Sequence, residues 1–180
     1  MSEAQSRIHI LDPAVARKIA AGEVIERPAG VVRELLDNSL DAGATRIDVE
    51  LTGGGTDLIR VVDDGYGMVQ DDLERAVLPH STSKITTDDD LLHVRTLGFR
   101  GEALSSVAAV SRLEITSAPP DGTPHRLRVE GGRVVALEPA PGAPGTSVTV
   151  ADLFSNVPAR RQFLKRPGSE FTAARSVFLD

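Results

Sequence analysis

An α+β fold, with helices on one face of a mostly antiparallel sheet, is the architecture the sequence predicts, and three observations predict it. Helical patterns carrying their own start and stop residues occur near the N-terminus, at 11–23 and 27–43. Short alternating apolar segments follow, separated by Gly- and Pro-containing turns in the manner of hairpins. The chain has 180 residues, 41% hydrophobic and 26% charged, which suits one domain with a sizeable core.

The first helix is expected over "LDPAVARKIAAGE", with Asp12 as N-cap, Pro13 at the first helical position and Gly22 as a stop. The second, "RPAGVVRELLDNSLDAG", repeats the device with Pro28 near its start and Gly43 just past its end. Its pattern divides into an apolar sector (Val31, Val32, Leu35, Leu36 and Leu40) and a polar one (Glu34, Asp37, Asn38 and Asp41). "TRIDVEL" alternates Ile47, Val49 and Leu51, and "TGGGTD" turns it into "LIRVVDD" as a hairpin. "VQDDLERAVL" (69–78) reads as a helix with acidic residues in its first turn and Pro79 after it.

Residues 80–101 form a polar stretch without regular patterning, and a loop of that length in a compact domain suggests a lid or binding loop. "EALSSVAAVS" (102–111) reads as a small-residue helix, and "RLEITS", "PHRLRVE" and "RVVALE" as three strands. "PAPGAPG" is a connector, "TSVTV" a last strand, and "VPARRQFL" the start of a C-terminal helix.

Twenty basic against twenty-six acidic residues give a net charge of −6, which argues against a stand-alone nucleic-acid module but not against a local basic patch. Without Cys there is no disulfide scaffold and no Cys-ligated zinc. No apolar run approaches the ~18 residues of a membrane span, and the N-terminus lacks a signal-peptide core. A cytoplasmic protein, nucleoid-associated if bacterial, is the expectation.

The sequence has neither a Walker P-loop nor the third glycine of a dinucleotide fingerprint after Gly65 and Gly67. His9, His80, His93 and His125 form no close pair, so a structural or surface role is expected of each. Three other features point to a nucleotide. "VVDDGYGM" (61–68) ends an apolar strand with carboxylates and glycines. Such a carboxylate can accept from an exocyclic amine, and glycines allow a flat ring near the backbone, though a plain Asp-Gly turn reads the same way. "TLGFRGEAL" (96–104) sets Gly98 and Gly101 around Phe99 and Arg100 just before a helix, a place for an anion or simply a flexible loop. "HSTSK" (80–84) gathers hydroxyls and a lysine able to contact phosphate. A phosphate chain brings a divalent cation, for which the Asn38 amide oxygen is a suitable hard ligand for Mg²⁺. Glu34, one turn away, could activate water, and Asp63 could hold the base; a solvated polar face remains the alternative for this stripe.

Over nearly the whole chain the sequence resembles the N-terminal ATPase region of MutL-type DNA mismatch repair proteins. The family sits in the GHKL superfamily with type II topoisomerase ATPase subunits, heat-shock chaperones and histidine kinases. "GFRGEAL" carries most of the resemblance, with "IAAGEV", "ELLDNSLDAGAT" and "TSK" in agreement. The resemblance implies ATP and Mg²⁺ as ligands and a two-layer sandwich as the fold. It implies Glu34 as general base, Asn38 as Mg²⁺ ligand, Asp63 as the adenine-binding residue, and Gly65 and Gly67 beside the ring. Gly98, Phe99, Arg100, Gly101 and Glu102 match the phosphate-binding lid motif. Thr82, Ser83 and Lys84 match the segment that closes over the nucleotide, and Gly145 and Thr146 the G-T pair near adenine. The pattern departs at Ser155, where the family has an aromatic, and at Val157, often Thr.

Further implications are a homodimer on ATP binding, a MutS-type mismatch-recognition partner, and DNA contact through the full-length protein. Residues 1–180 are expected to form the ATP-binding domain alone. The family's γ-phosphate lysine comes from a following domain, so weak or absent turnover is expected of this stretch by itself. The alternatives are another ATPase of the superfamily or a non-enzymatic DNA-binding scaffold. For the latter, Arg160, Arg161, Lys165 and Arg166 offer a phosphate-contact surface or merely a solvated helix face.

Overall fold

The computed structural model describes residues 10–79 and 102–179. Among them, six strands make one sheet: β1 (Ile47–Thr52), β2 (Leu58–Asp63), β3 (Arg112–Ala118), β4 (His125–Glu130), β5 (Arg133–Pro139) and β6 (Gly145–Ala151). Their order is β1-β2-β6-β3-β4-β5, and every neighbouring pair is antiparallel. The fold is α+β, as the sequence predicts.

Period-two alternation decides which face of the sheet is covered. Ile59 and Val61, Leu113 and Ile115, Leu127 and Val129, and Val148 and Val150 are buried under the helices. Arg60 and Arg128, between them in sequence, are exposed. Helix α1 (Pro13–Val24) and helix α2 (Pro28–Asp41) supply Ala21, Val31, Val32 and Leu35 to the same core. Helix α3 (Gln70–Arg75) adds Leu73, and helix α4 (Ala103–Ala109) adds Val107 and Ala108. Two C-terminal helices, α5 (Pro158–Gln162) and α6 (Pro167–Leu179), complete the layer, with Ala174 of α6 fully buried.

Local chemistry accounts for the helix ends. Asp12 caps α1 by accepting from the N–H groups of Ala14 (2.8 Å) and Val15 (3.4 Å). At the end of α2, Gly43 (φ 68°) donates to Leu40 O and Ala44 donates to Ser39 O, the paired bonds of a Schellman motif.

Four sequence expectations are corrected. Gly22 does not stop α1, which runs on to Val24; a side chain at Gly22 would meet the Arg160 guanidinium at 2.9 Å, so the glycine makes room for a neighbour. The helix expected over 69–78 ends at Arg75, with turns after it. The single C-terminal helix is two helices, with 163–166 between them. Leu40 does not belong to the buried sector of α2: it is 63% exposed, and Ser39, 2% exposed, is buried in that helix instead.

The glycine turn 53–55 between β1 and β2 is a junction as well as a hairpin loop. A side chain at Gly54 would run into the backbone of Pro167, and one at Gly55 would meet Pro28 Cβ at 2.8 Å. The first residues of α2 and α6 therefore both seat on this turn.

Candidate functional site

At one end of the sheet, strand register lines up Asp63, Thr146 and Ser117 on adjacent strands β2, β6 and β3. They continue the face that carries Val61, Val148 and Ile115, so they project towards the helix layer. Here the core turns polar.

Asp63 is half-buried and its carboxylate is held from three sides. Ser39 of α2 donates its hydroxyl to Oδ2 at 2.7 Å. The N–H groups of Gly65 (2.9 Å) and Thr146 (3.3 Å) donate to Oδ1. A carboxylate offers about four acceptor positions, so one remains for a donor from outside, such as an exocyclic amine. Beside it, Ser117 Oγ accepts from Met68 N–H at 2.9 Å and lies 2.8 Å from Thr146 Oγ1 and 3.2 Å from Gly145 O. Ser39 and Ser117 were not singled out from the sequence.

The adjacent Asp64 has a different task. It is exposed and accepts from Thr45 Oγ1 (2.6 Å), Thr45 N–H (2.7 Å) and Arg46 N–H (2.9 Å). Those bonds, led by the Thr45 hydroxyl, draw its pKa down to about 2. Asp64 thus staples the α2–β1 link to the end of β2, and Asp63 is the carboxylate turned towards the helices.

The glycines explain how the elements come so close. A side chain at Gly65 would meet Ala42 Cβ at 2.7 Å, and Tyr66 N–H donates to Ala42 O at 3.0 Å. Gly67 (φ 67°) passes against the Ala118 carbonyl, and Gly145 (φ 110°) against the backbone of Asp63 and Asp64. These three positions already answer to contacts within the protein, in addition to any ring they admit.

Glu34 and Asn38 are both half-buried, one turn apart on α2, and Asn38 immediately precedes the Ser39 that reaches Asp63. Asn38 offers a hard amide oxygen of the kind Mg²⁺ takes when nucleotide phosphates supply most of its shell. Glu102, half-buried, is the N-cap position of α4, and its carbonyl accepts from Ser106 N–H and Ser105 Oγ. Thr82, Ser83, Lys84, Gly98, Phe99, Arg100 and Gly101 lie outside the described residues, as does the whole of 80–101.

Of the basic residues near the C-terminus, Arg161 lies 3.6 Å from Asp57 and Arg160 packs over Gly22. Lys165 and Arg166 are exposed. No described helix is long and apolar enough to cross a membrane.

Residues 25–129 match the family model described as histidine kinase-, DNA gyrase B-, and HSP90-like ATPase. The DNA mismatch repair protein MutL of Elusimicrobium minutum is 54% identical over 164 residues, covering 91% of this chain and 27% of that protein. MutL of Acidobacterium capsulatum is 54% identical over 167 residues, covering 92% and 25%. Among solved structures, the Aquifex aeolicus MutL ATPase domain complexed with ADP superposes with a TM-score of 0.70 at 33% identity, covering 86% of this chain and 54% of that one. The N-terminal domain of a DNA repair protein gives 0.76 at 34% identity, covering 93% and 49%. The chain therefore spans about a quarter of its curated relatives.

Proposed function

We propose, from the premise that this chain belongs to the histidine kinase-, DNA gyrase B- and HSP90-like ATPase family in its MutL branch, that it binds ATP at the Asp63 end of the sheet and hydrolyses it. One observation carries the reading: a carboxylate fixed by Ser39, Gly65 and Thr146, with one acceptor position to spare, beside the helix that bears Glu34 and Asn38. The ADP named for the Aquifex relative supports a nucleotide as the ligand.

In this reading Asp63 accepts from the adenine amine, and Thr146, Gly65 and Gly67 border the ring. Glu34 takes a proton from water, whose oxygen attacks the γ-phosphorus; the bond from that phosphorus to the β,γ-bridging oxygen breaks, and ADP leaves. Mg²⁺, when bound, offsets phosphate charge, and the Asn38 amide oxygen would hold it. Gly98, Phe99, Arg100, Gly101 and Glu102, with Thr82, Ser83 and Lys84, are proposed for the phosphates on sequence grounds. Dimerisation on ATP binding, a MutS-type partner and contact with mismatched DNA belong to the proposal for the whole protein.

Calorimetry with a non-hydrolysable ATP analogue, paired with turnover assays, tests the assignment. Glu34→Ala is expected to lower turnover by about a hundredfold or more while leaving analogue affinity within a few fold. Loss of binding in that variant would remove Glu34 as the base. In Asn38→Ala the gain in affinity on adding Mg²⁺ should disappear; an undiminished gain would remove the metal assignment.

A further inference from the structure

Helix α2 is anchored at both ends, and the two anchors differ in kind. Its C-terminal end is tied to the nucleotide site itself through Ser39–Asp63 and the Ala42–Tyr66 contact. Its N-terminal end is tied to the opposite end of the chain. Arg27, the N-cap residue, makes no side-chain cap. Its guanidinium instead forks onto Glu170 of α6, Nε to Oε2 at 3.2 Å and Nη2 to Oε1 at 3.0 Å.

Glu170 is 1% exposed, and its carboxylate also accepts from Lys165 N–H at 2.8 Å. Arg27 is 38% exposed and borders a surface groove lined also by Arg160, Phe163 and Leu164. An apolar pair in that space would cost less desolvation. What an apolar pair lacks is direction: a two-bonded guanidinium–carboxylate fork fixes both distance and angle. Pro28, the next residue, seats on Gly55 in the same junction.

We propose that Arg27 and Glu170 are a positioning pair for the reaction, setting the placement of α2 and, through it, of Glu34. Glu34 stands seven residues past Arg27, about 10 Å along a stiff helix. With Ser39 as the fixed point, Glu34 lies about 7.5 Å and Arg27 about 18 Å from it along the helix, so roughly two fifths of a shift at the N-terminal anchor reaches Glu34. A misplacement of about 1 Å at a reacting group is enough to lower a rate by about a hundredfold. The adenine contacts, held by the other anchor, stay in place. The pair therefore governs turnover in preference to affinity, a role that rests on the ATPase reading above.

The test compares the complete wild-type protein with Arg27→Met/Glu170→Met and with Arg27→Lys, reading thermal midpoint, analogue affinity and turnover at saturating ATP. The apolar double variant is expected to keep its fold and bind the analogue within about threefold of wild type, with turnover down at least about tenfold. Arg27→Lys keeps the charge and loses the fork, so its turnover should also fall while binding holds. Wild-type turnover in either variant would overturn the positioning role, as would a fall in affinity matching the fall in rate. A wild type that neither binds the analogue nor turns over ATP would overturn the ATPase reading first, and the pair's role with it.

Discussion

Ser39 shows how one residue can hold a site together without being conspicuous in the sequence. At about 100° per residue, Val31, Leu35, Ser39 and Val32 fall at about 0°, 40°, 80° and 100° around α2, and Leu40 at about 180°. Ser39 thus sits in the middle of the buried sector, where a polar residue needs a partner. That placement was legible from angles alone; the partner, 24 residues away on β2, was not, because it depends on strand register. The same angles put Asn38 about 20° and Glu34 about 60° outside the buried sector on its Val31 side, and both are half-buried. Replacing Ser39 with Ala leaves Asp63 Oδ2 without its closest donor, a loss worth about 1–3 kcal/mol for a bond to a charged group. The expected result is a lower thermal midpoint together with at least about fivefold weaker analogue binding by calorimetry, since the carboxylate is no longer held in one orientation. Unchanged affinity would show that Ser39 serves the fold alone.

At the scale of elements, the starts of α1 and α2, the end of α2 and the sheet strands were readable because their signals are local. Asp12, Pro13, Pro28 and Gly43 act within a turn of themselves, and the alternating strands declare their buried face. Gly22 misled for the opposite reason: its smallness answers to Arg160, distant in sequence, and not to a helix end. The contrast with Gly43 can be measured. Gly43 lies at φ 68° with open space where a side chain would stand, so Gly43→Ala carries conformational strain and no clash. It should cost about 1 kcal/mol by denaturant titration. Gly54→Ala, with a comparable φ of 69° but Pro167 backbone in the way, should cost clearly more. Equal costs would mean that the 53–55 junction yields easily, and that α2 and α6 are not held there.

Across the described residues, carboxylates staple neighbouring segments together, and acid should release them. Glu170 is pushed up by burial, but hydrogen bonds from Arg27 and Lys165 N–H, with the guanidinium charge, outweigh this and hold it below the ordinary value of 4.5. Glu138 is lowered by Arg126 on the neighbouring strand, and Asp64 is drawn from 3.8 to about 2 by Thr45 and Arg46. In each case the folded state holds its proton less readily than the unfolded chain does. As pH falls, the unfolded chain takes up protons first, so stability declines with pH in that range. The contribution of each group is complete above its ordinary value and disappears as pH falls through its folded one. The thermal midpoint should therefore vary little with these groups near neutrality, begin to fall near pH 4.5, and continue falling towards about 2 as Asp64 takes up its proton. Asp64→Asn isolates one staple: it lowers the midpoint at neutral pH and flattens the profile between about 4 and about 2, because that proton uptake is gone. A variant that kept the wild-type slope there would assign the acid sensitivity to other carboxylates and leave the Thr45–Asp64 contact without weight in the fold.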